Sequence, residues 1–171
     1  PSKFSLSPGE IKEVKYTITA PAEAAGGYYS VIFFESKIEN ASSKNSNIVI
    51  AGRIGTIVYF ETKGNSEKSV SIDNIDCSLA KENKPLALKL YVRNRGNTIV
   101  SPEGNIIITD KNSKLYGRID VKKFFIMQKE AMPVKVLWAG QLKAGEYDLI
   151  ATLDFGGASP ISYQKKLVIR K

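Results

Sequence analysis

The chain has 171 residues, 43% hydrophobic and 25% charged, with one Cys, no His and a net charge of +8. That composition belongs to a folded globular protein and rules out an internal disulfide, a His-ligated metal site and any catalysis that needs a histidine base. No apolar run reaches the roughly 18 residues that a membrane-spanning helix needs.

The charge is uneven. Residues 1–65 hold seven Lys/Arg and six Asp/Glu, against 18 and 11 in residues 66–171. The excess of cations in the second part favours anionic partners. Its basic residues are scattered between strand positions, where lysines protect edges from pairing. The chain opens on Pro1 rather than Met, as a mature product would, so the missing signal peptide leaves the compartment open.

From the start, Phe4-Ser5-Leu6 reads as a short strand closed by the Pro8-Gly9 turn. Ile11–Thr19 alternates, with Val14, Tyr16 and Ile18 on one face, and predicts a strand. An Ala/Gly-rich loop follows, and Tyr28–Glu35 is apolar on both faces, as a covered central strand would be. Glu39–Asn47 is polar and reads as a mobile loop, and within it Asn40-Ala41-Ser42 matches a glycosylation acceptor that is frequent by chance. Ile48–Glu61 is a long β-rich run, with Gly52 and Gly55 marking a bulge or a close backbone approach. The polar, Gly-containing stretch 62–66 reads as a domain boundary.

Seven strand-like segments follow, near 69–79, 86–93, 105–110, 114–120, 132–138, 147–155 and 162–170, with turn signals between them. In the sixth, Tyr147, Leu149, Ala151, Leu153 and Phe155 point one way, and Asp148, Ile150, Thr152 and Asp154 the other. Tyr147 just inside a strand after a Gly-containing turn suits a tyrosine corner. Trp138 lies on the apolar set with Val134 and Val136 and is expected in the core.

Shifted by about 120 residues, the first part overlies the end of the second. Phe4, Leu6, Glu10, Val14, Tyr16 and Ile18 fall on Phe124, Ile126, Glu130, Val134, Val136 and Trp138. After a two-residue gap, Tyr29, Val31 and Phe33 fall on Tyr147, Leu149 and Ala151. The fold class is therefore all-β: tandem immunoglobulin-like β-sandwiches, residues 1–64 forming an incomplete one (its C-terminal half only) and residues 65–171 a complete seven-stranded one. The alternative for residues 1–62 is a smaller unit packed on the second.

These residues resemble the two-domain immunoglobulin-like architecture of periplasmic pilus chaperones. There a Pro-Gly-Glu turn, as Pro8-Gly9-Glu10, leads into an alternating strand. A Tyr-rich strand follows, as Gly27–Glu35, and then a long hydrophobic strand runs to the linker, as Ile48–Glu61. The resemblance implies strand addition to a partner subunit, through Ile54, Thr56, Val58 and Phe60 or the opposite face with Ile57 and Tyr59. The opening strands that carry the family's carboxylate-anchoring residue have no counterpart here. Residues 92–97 and 144–147 look more like a bacterial surface sandwich module.

Other chemistry finds little support. No phosphate-binding Gly-rich loop occurs. A carboxylate pair can form across any fold, yet Asp73, Asp76, Asp110, Asp148 and Asp154 all sit at turns or outward strand positions. Asp73-Asn74-Ile75-Asp76 reads as a polar turn or a source of calcium oxygens, and Cys77 as a buried small hydrophobe or a reactive thiol. Tyr91 between Lys89 and Arg93, with Arg95 nearby, resembles a stacking fragment for nucleic acid, or a set of cross-strand pairs.

The expectation is a non-enzymatic, cofactor-free binding protein of the bacterial periplasm or cell surface. It would engage polypeptides, or itself, through exposed strand edges at Ile54, Thr56, Ile57, Val58, Tyr59 and Phe60, in chaperone fashion. The alternative is an envelope module that meets anionic polymer through Lys89, Arg93, Arg95, Lys122 and Lys123, or an accessory domain of a larger enzyme. Nucleic acid is not the expected partner.

Overall fold

The period-two apolar runs become strands in the computed structural model, which describes residues 3–37, 51–78 and 80–171. The polar loop 39–47, with Asn40-Ala41-Ser42, lies outside the described residues. Among those described there is no helix, and the strands are β1 (Gly27–Lys37), β2 (Ala51–Glu61), β3 (Val70–Ser78), β4 (Leu86–Asn94), β5 (Glu103–Thr109), β6 (Leu115–Val121), β7 (Ala131–Trp138), β8 (Gly145–Asp154) and β9 (Ile161–Ile169).

β3 to β9 make a sandwich of a three-stranded sheet, β3-β4-β7, and a four-stranded sheet, β6-β5-β8-β9, all neighbours antiparallel. Seven strands split between two sheets, with hairpins β3–β4, β5–β6 and β8–β9 and crossings between sheets elsewhere, is an immunoglobulin-like arrangement. The buried faces meet as alternation requires. Leu86, Leu88, Leu90 and Val92 from β4 oppose Ile106 and Ile108 from β5 and Leu149, Ala151 and Leu153 from β8, each no more than 2% exposed. At roughly 25 cal/mol per Å² of apolar surface removed from water, this face-to-face burial is the main stabiliser of the fold.

The sixth segment behaves as its alternation predicts. Tyr147, Leu149, Ala151, Leu153 and Phe155 are all buried, and the Tyr147 hydroxyl donates to the Lys143 carbonyl at 3.1 Å, closing a tyrosine corner. Trp138 packs against the core with Val134 and Val136, seated over Gly117 and Gly140, where a Cβ would lie within 2.6 and 2.2 Å of its ring.

β3 changes phase part-way along. Its register against β4 slips between Ile72 and Asn74, leaving Asp73 as a bulge. The bulge changes which residues face inward, from Val70 and Ile72 to Ile75 and Cys77, because one extra residue inverts a period-two pattern.

Ile11–Thr19 alternates as a strand would but belongs to no sheet. Ile11 is 94% exposed and Tyr16 and Ile18 are exposed too. A strand exists only as part of a ladder, and no neighbour pairs with this segment among the described residues.

Candidate partner-binding hairpin

β1 and β2 form a two-stranded sheet that shares no strand with the sandwich. Their register runs from Gly27 opposite Glu61 to Lys37 opposite Ala51 without a slip. The expected bulge at Gly52 and Gly55 is therefore absent. Gly55 instead allows a close approach, because a Cβ there would meet the Phe33 ring at 3.0 Å and Val31 at 3.1 Å.

Residues directly opposite in an antiparallel pair share a face. One face of the hairpin gathers Tyr29, Val31 and Phe33 with Gly55, Ile57 and Tyr59. The other gathers Tyr28, Ile32 and Phe34 with Ile54, Thr56, Val58 and Phe60. Both faces are apolar, and both are open: Tyr29, Phe33, Ile54 and Ile57 are between 53% and 74% exposed. On the second face Tyr28 stacks on Phe60, centroids 5.0 Å apart. At the far end Arg53 lies 5.2 Å over the Phe33 ring and pairs with Glu35. A free two-stranded ribbon with apolar surface on both faces is marginal by itself.

The base of the hairpin is fixed to the sandwich by the loop after β4. Gly27 N donates to Asn97 O at 2.8 Å, Gln128 Nε2 donates to Gly27 O at 3.1 Å, and the Tyr59 and Thr98 hydroxyls bond to each other. Asn97 also accepts from Glu67 N at 2.7 Å through Oδ1 and donates to Asn65 O at 3.1 Å, so it holds the linker as well. Beneath it, the fully buried Asn94 donates to Thr98 O at 2.7 Å and Ile126 O at 3.1 Å and accepts from Gly96 N at 2.9 Å. Burying that amide costs little only because its hydrogen bonds are made. The turn signal at Arg95-Gly96-Asn97 marks this loop in the sequence. Nothing in the sequence marks its grip on Gly26 and Gly27, or the part played by Gln128.

The basic residues fall in two places. Lys89 and Arg93 lie on the outward face of β4, and Lys122 and Lys123 follow β6 in the other sheet. Arg93 and Arg95 pair with Asp73 at 2.8 and 3.3 Å, and Lys123 lies 3.7 Å from Glu103. The Ser71 hydroxyl first, and then the Arg93 guanidinium, hold the Asp73 carboxyl below its usual range. Lys89 sits 6.0 Å over the Tyr91 ring, and Tyr91 faces Asn74 and Pro133 across the strands, so cross-strand pairing accounts for it. Asp76 is met by Asn74 at 2.7 Å and Lys165 at 3.5 Å. Among the described residues no group of three or more His, Cys, Asp or Glu could hold a metal ion. Cys77 is half-buried against the core, and burial pushes its thiol up despite Lys165 nearby.

No protein-family model matches this chain, and no curated protein matches it in sequence. Among solved structures, the chain is similar to the CARDB domain of a Pyrococcus furiosus protein in complex with di-metal ions. Identity is 18% and the TM-score 0.44, over 61% of this chain and 94% of that one. No helix of the described residues is long and apolar enough to cross a membrane.

Proposed function

We propose that this chain is a non-enzymatic, extracytoplasmic binding protein that engages polypeptide partners through the β1–β2 hairpin, with the sandwich β3–β9 as its rigid mount. One observation carries this: the hairpin is a two-stranded sheet, apolar on both faces, whose outer edges beyond Gly27 no described residue pairs with. Such edges bind extended polypeptide through main-chain hydrogen bonds, while side-chain pockets set the preference. Ile54, Thr56, Ile57, Val58, Tyr59 and Phe60 supply part of both faces. The bonds from Asn97, Gln128 and Thr98 support the reading, since they fix the hairpin base and reduce the ordering cost of binding. Placement outside the cytoplasm is supported by the sandwich architecture, common among cell-surface domains.

The test uses two probes. One is a fluorescent peptide of residues 101–112, in which the uncharged stretch Gly104–Thr109 lies between ends that carry Glu103, Asp110 and Lys111, and the other is an acidic polysaccharide. Saturable peptide binding that changes less than about twofold from about 50 to about 500 mM salt supports strand engagement. Polysaccharide binding that falls steeply with salt, with no peptide binding, overturns it in favour of an anionic-polymer role.

A further inference from the structure

The hydrogen bonds at the hairpin base establish which backbone groups of β1 face outward. Thr62 N donates to Gly26 O at 2.9 Å, so Gly26 and the even-numbered residues after it are those bonded across to β2. Gly27 turns both of its groups the other way, donating to Asn97 O and accepting from Gln128 Nε2. Period two then carries the N–H and C=O of Tyr29, Val31, Phe33 and Glu35 along the same outward edge. Asn97 and Gln128 therefore begin a row of edge hydrogen bonds that the rest of β1 continues with no neighbour among the described residues. At its head, Gln128 Oε1 is buried without a hydrogen-bond partner. Gln128 and Lys129 line an open hollow there with Gly27, Tyr28, Tyr29 and Asn97.

The sandwich contains the same hairpin in finished form. β8 pairs with β9 from Gly145 opposite Ile169, as β1 pairs with β2 from Gly27 opposite Glu61. The repeat sets Tyr29, Val31 and Phe33 on Tyr147, Leu149 and Ala151, all three buried in the core. On its other edge β8 carries β5, antiparallel, with Ile106 opposite Ala151 and Ile108 opposite Leu149. Charge follows suit. Gly27–Phe34 holds no charged residue, nor does Gly104–Thr109 of β5, whereas β9 carries Lys165 and Lys166. An uncharged strand can lie along Gly27–Phe34 without burying an unpaired charge, and that stretch lacks the lysines that natural edges use to repel one.

We infer that β1 is an acceptor edge: its polypeptide partner supplies an extended, uncharged strand of the β5 type, antiparallel to β1, which continues the row begun by Asn97 and Gln128. Alternate aliphatic side chains of that strand stand beside Tyr29, Val31 and Phe33 and extend that apolar face. This rests on the proposed polypeptide-binding role and gives it a direction. The chain receives a strand, where a pilus chaperone lends one.

Residue-resolved amide exchange by NMR, on the full chain with and without the 101–112 peptide, tests it. The expected result is slowing of at least about tenfold at Tyr29, Val31, Phe33 and Glu35, with the outward amides of β2 at Arg53, Gly55, Ile57 and Tyr59 unchanged. Val31→Asp, which sets a charge beside the arriving aliphatic side chains, should weaken the peptide by more than about tenfold, while Ser30→Asp on the opposite face should not. Peptide binding that protects the β2 set instead, or no backbone amide at all, overturns the acceptor edge and leaves the polypeptide-binding role standing. No binding at millimolar peptide overturns both.

Discussion

A Cβ placed on Gly26 would sit 2.2 Å from the carbonyl oxygen of Asn97, and the Gly26 φ of 88° is one that L side chains rarely adopt. The neighbouring Gly27 N–H donates to that same carbonyl. At this point hairpin and sandwich meet backbone to backbone, with no room for a side chain on Gly26.

Gly26→Ala should therefore release the hairpin without unfolding the sandwich. The substitution carries a backbone penalty of about 1 kcal/mol or more, together with a clash that relaxes only by separation. In amide exchange, Gly27–Glu61 should lose protection while β3–β9 keep theirs. Uniform loss across both would show that the two parts unfold as one.

Tyr147→Phe removes only the hydroxyl that donates to Lys143 O at 3.1 Å. The ring stays packed edge-on against Tyr116, centroids 5.2 Å apart. A net loss of about 1 kcal/mol is expected, read as a fall of several degrees in the melting temperature.

Apolar residues of the two parts should respond oppositely to truncation. Ile106 is fully buried, and Ile106→Ala should cost about 2–5 kcal/mol through lost transfer energy and a residual cavity. Phe33 of β1 is 55% exposed, and Phe33→Ala should leave the melting temperature nearly unchanged while weakening the peptide probe. Chemical denaturation paired with peptide titration separates the two effects.

Asp73 ties stability to acid pH. Its folded pKa lies below the ordinary value of 3.8, chiefly through the Ser71 hydroxyl and then Arg93. A depressed folded pKa stabilises the protein at all pH above the unfolded value and loses that contribution as pH falls below it. Asp73→Asn should lower the melting temperature at neutral pH, and the gap from wild type should close in strong acid. A gap that persists there would place the residue's role in bulge geometry and not in its charge.

Cys77 should resist alkylation in the native state, because burial raises its thiol pKa and only the thiolate reacts. Iodoacetamide at neutral pH should modify it many times faster in denaturant than in buffer.

Period two determined much of this protein before any contact was known. In β8 each alternate residue from Tyr147 to Phe155 faces inward as read, since a strand's pleat leaves no other choice once one face must be dry. Tyr147 was legible as a corner for the same reason: a turn, a strand start and a phenol are local facts. Three things were left to tertiary structure. The apolar positions of β3 change phase between Ile72 and Ile75, but only the ladder with β4 leaves Asp73 as the unpaired residue. Ile11–Thr19 alternates as cleanly as β4 does yet joins no sheet, because a strand's hydrogen bonds are made to a neighbour that its own residues do not specify. The fixed base of the hairpin depends on Asn97 and Gln128, far from Gly27 in the chain, meeting its backbone. Side-chain periodicity is written in the residues one by one, but backbone pairing is a property of two segments together, and only the fold brings them side by side.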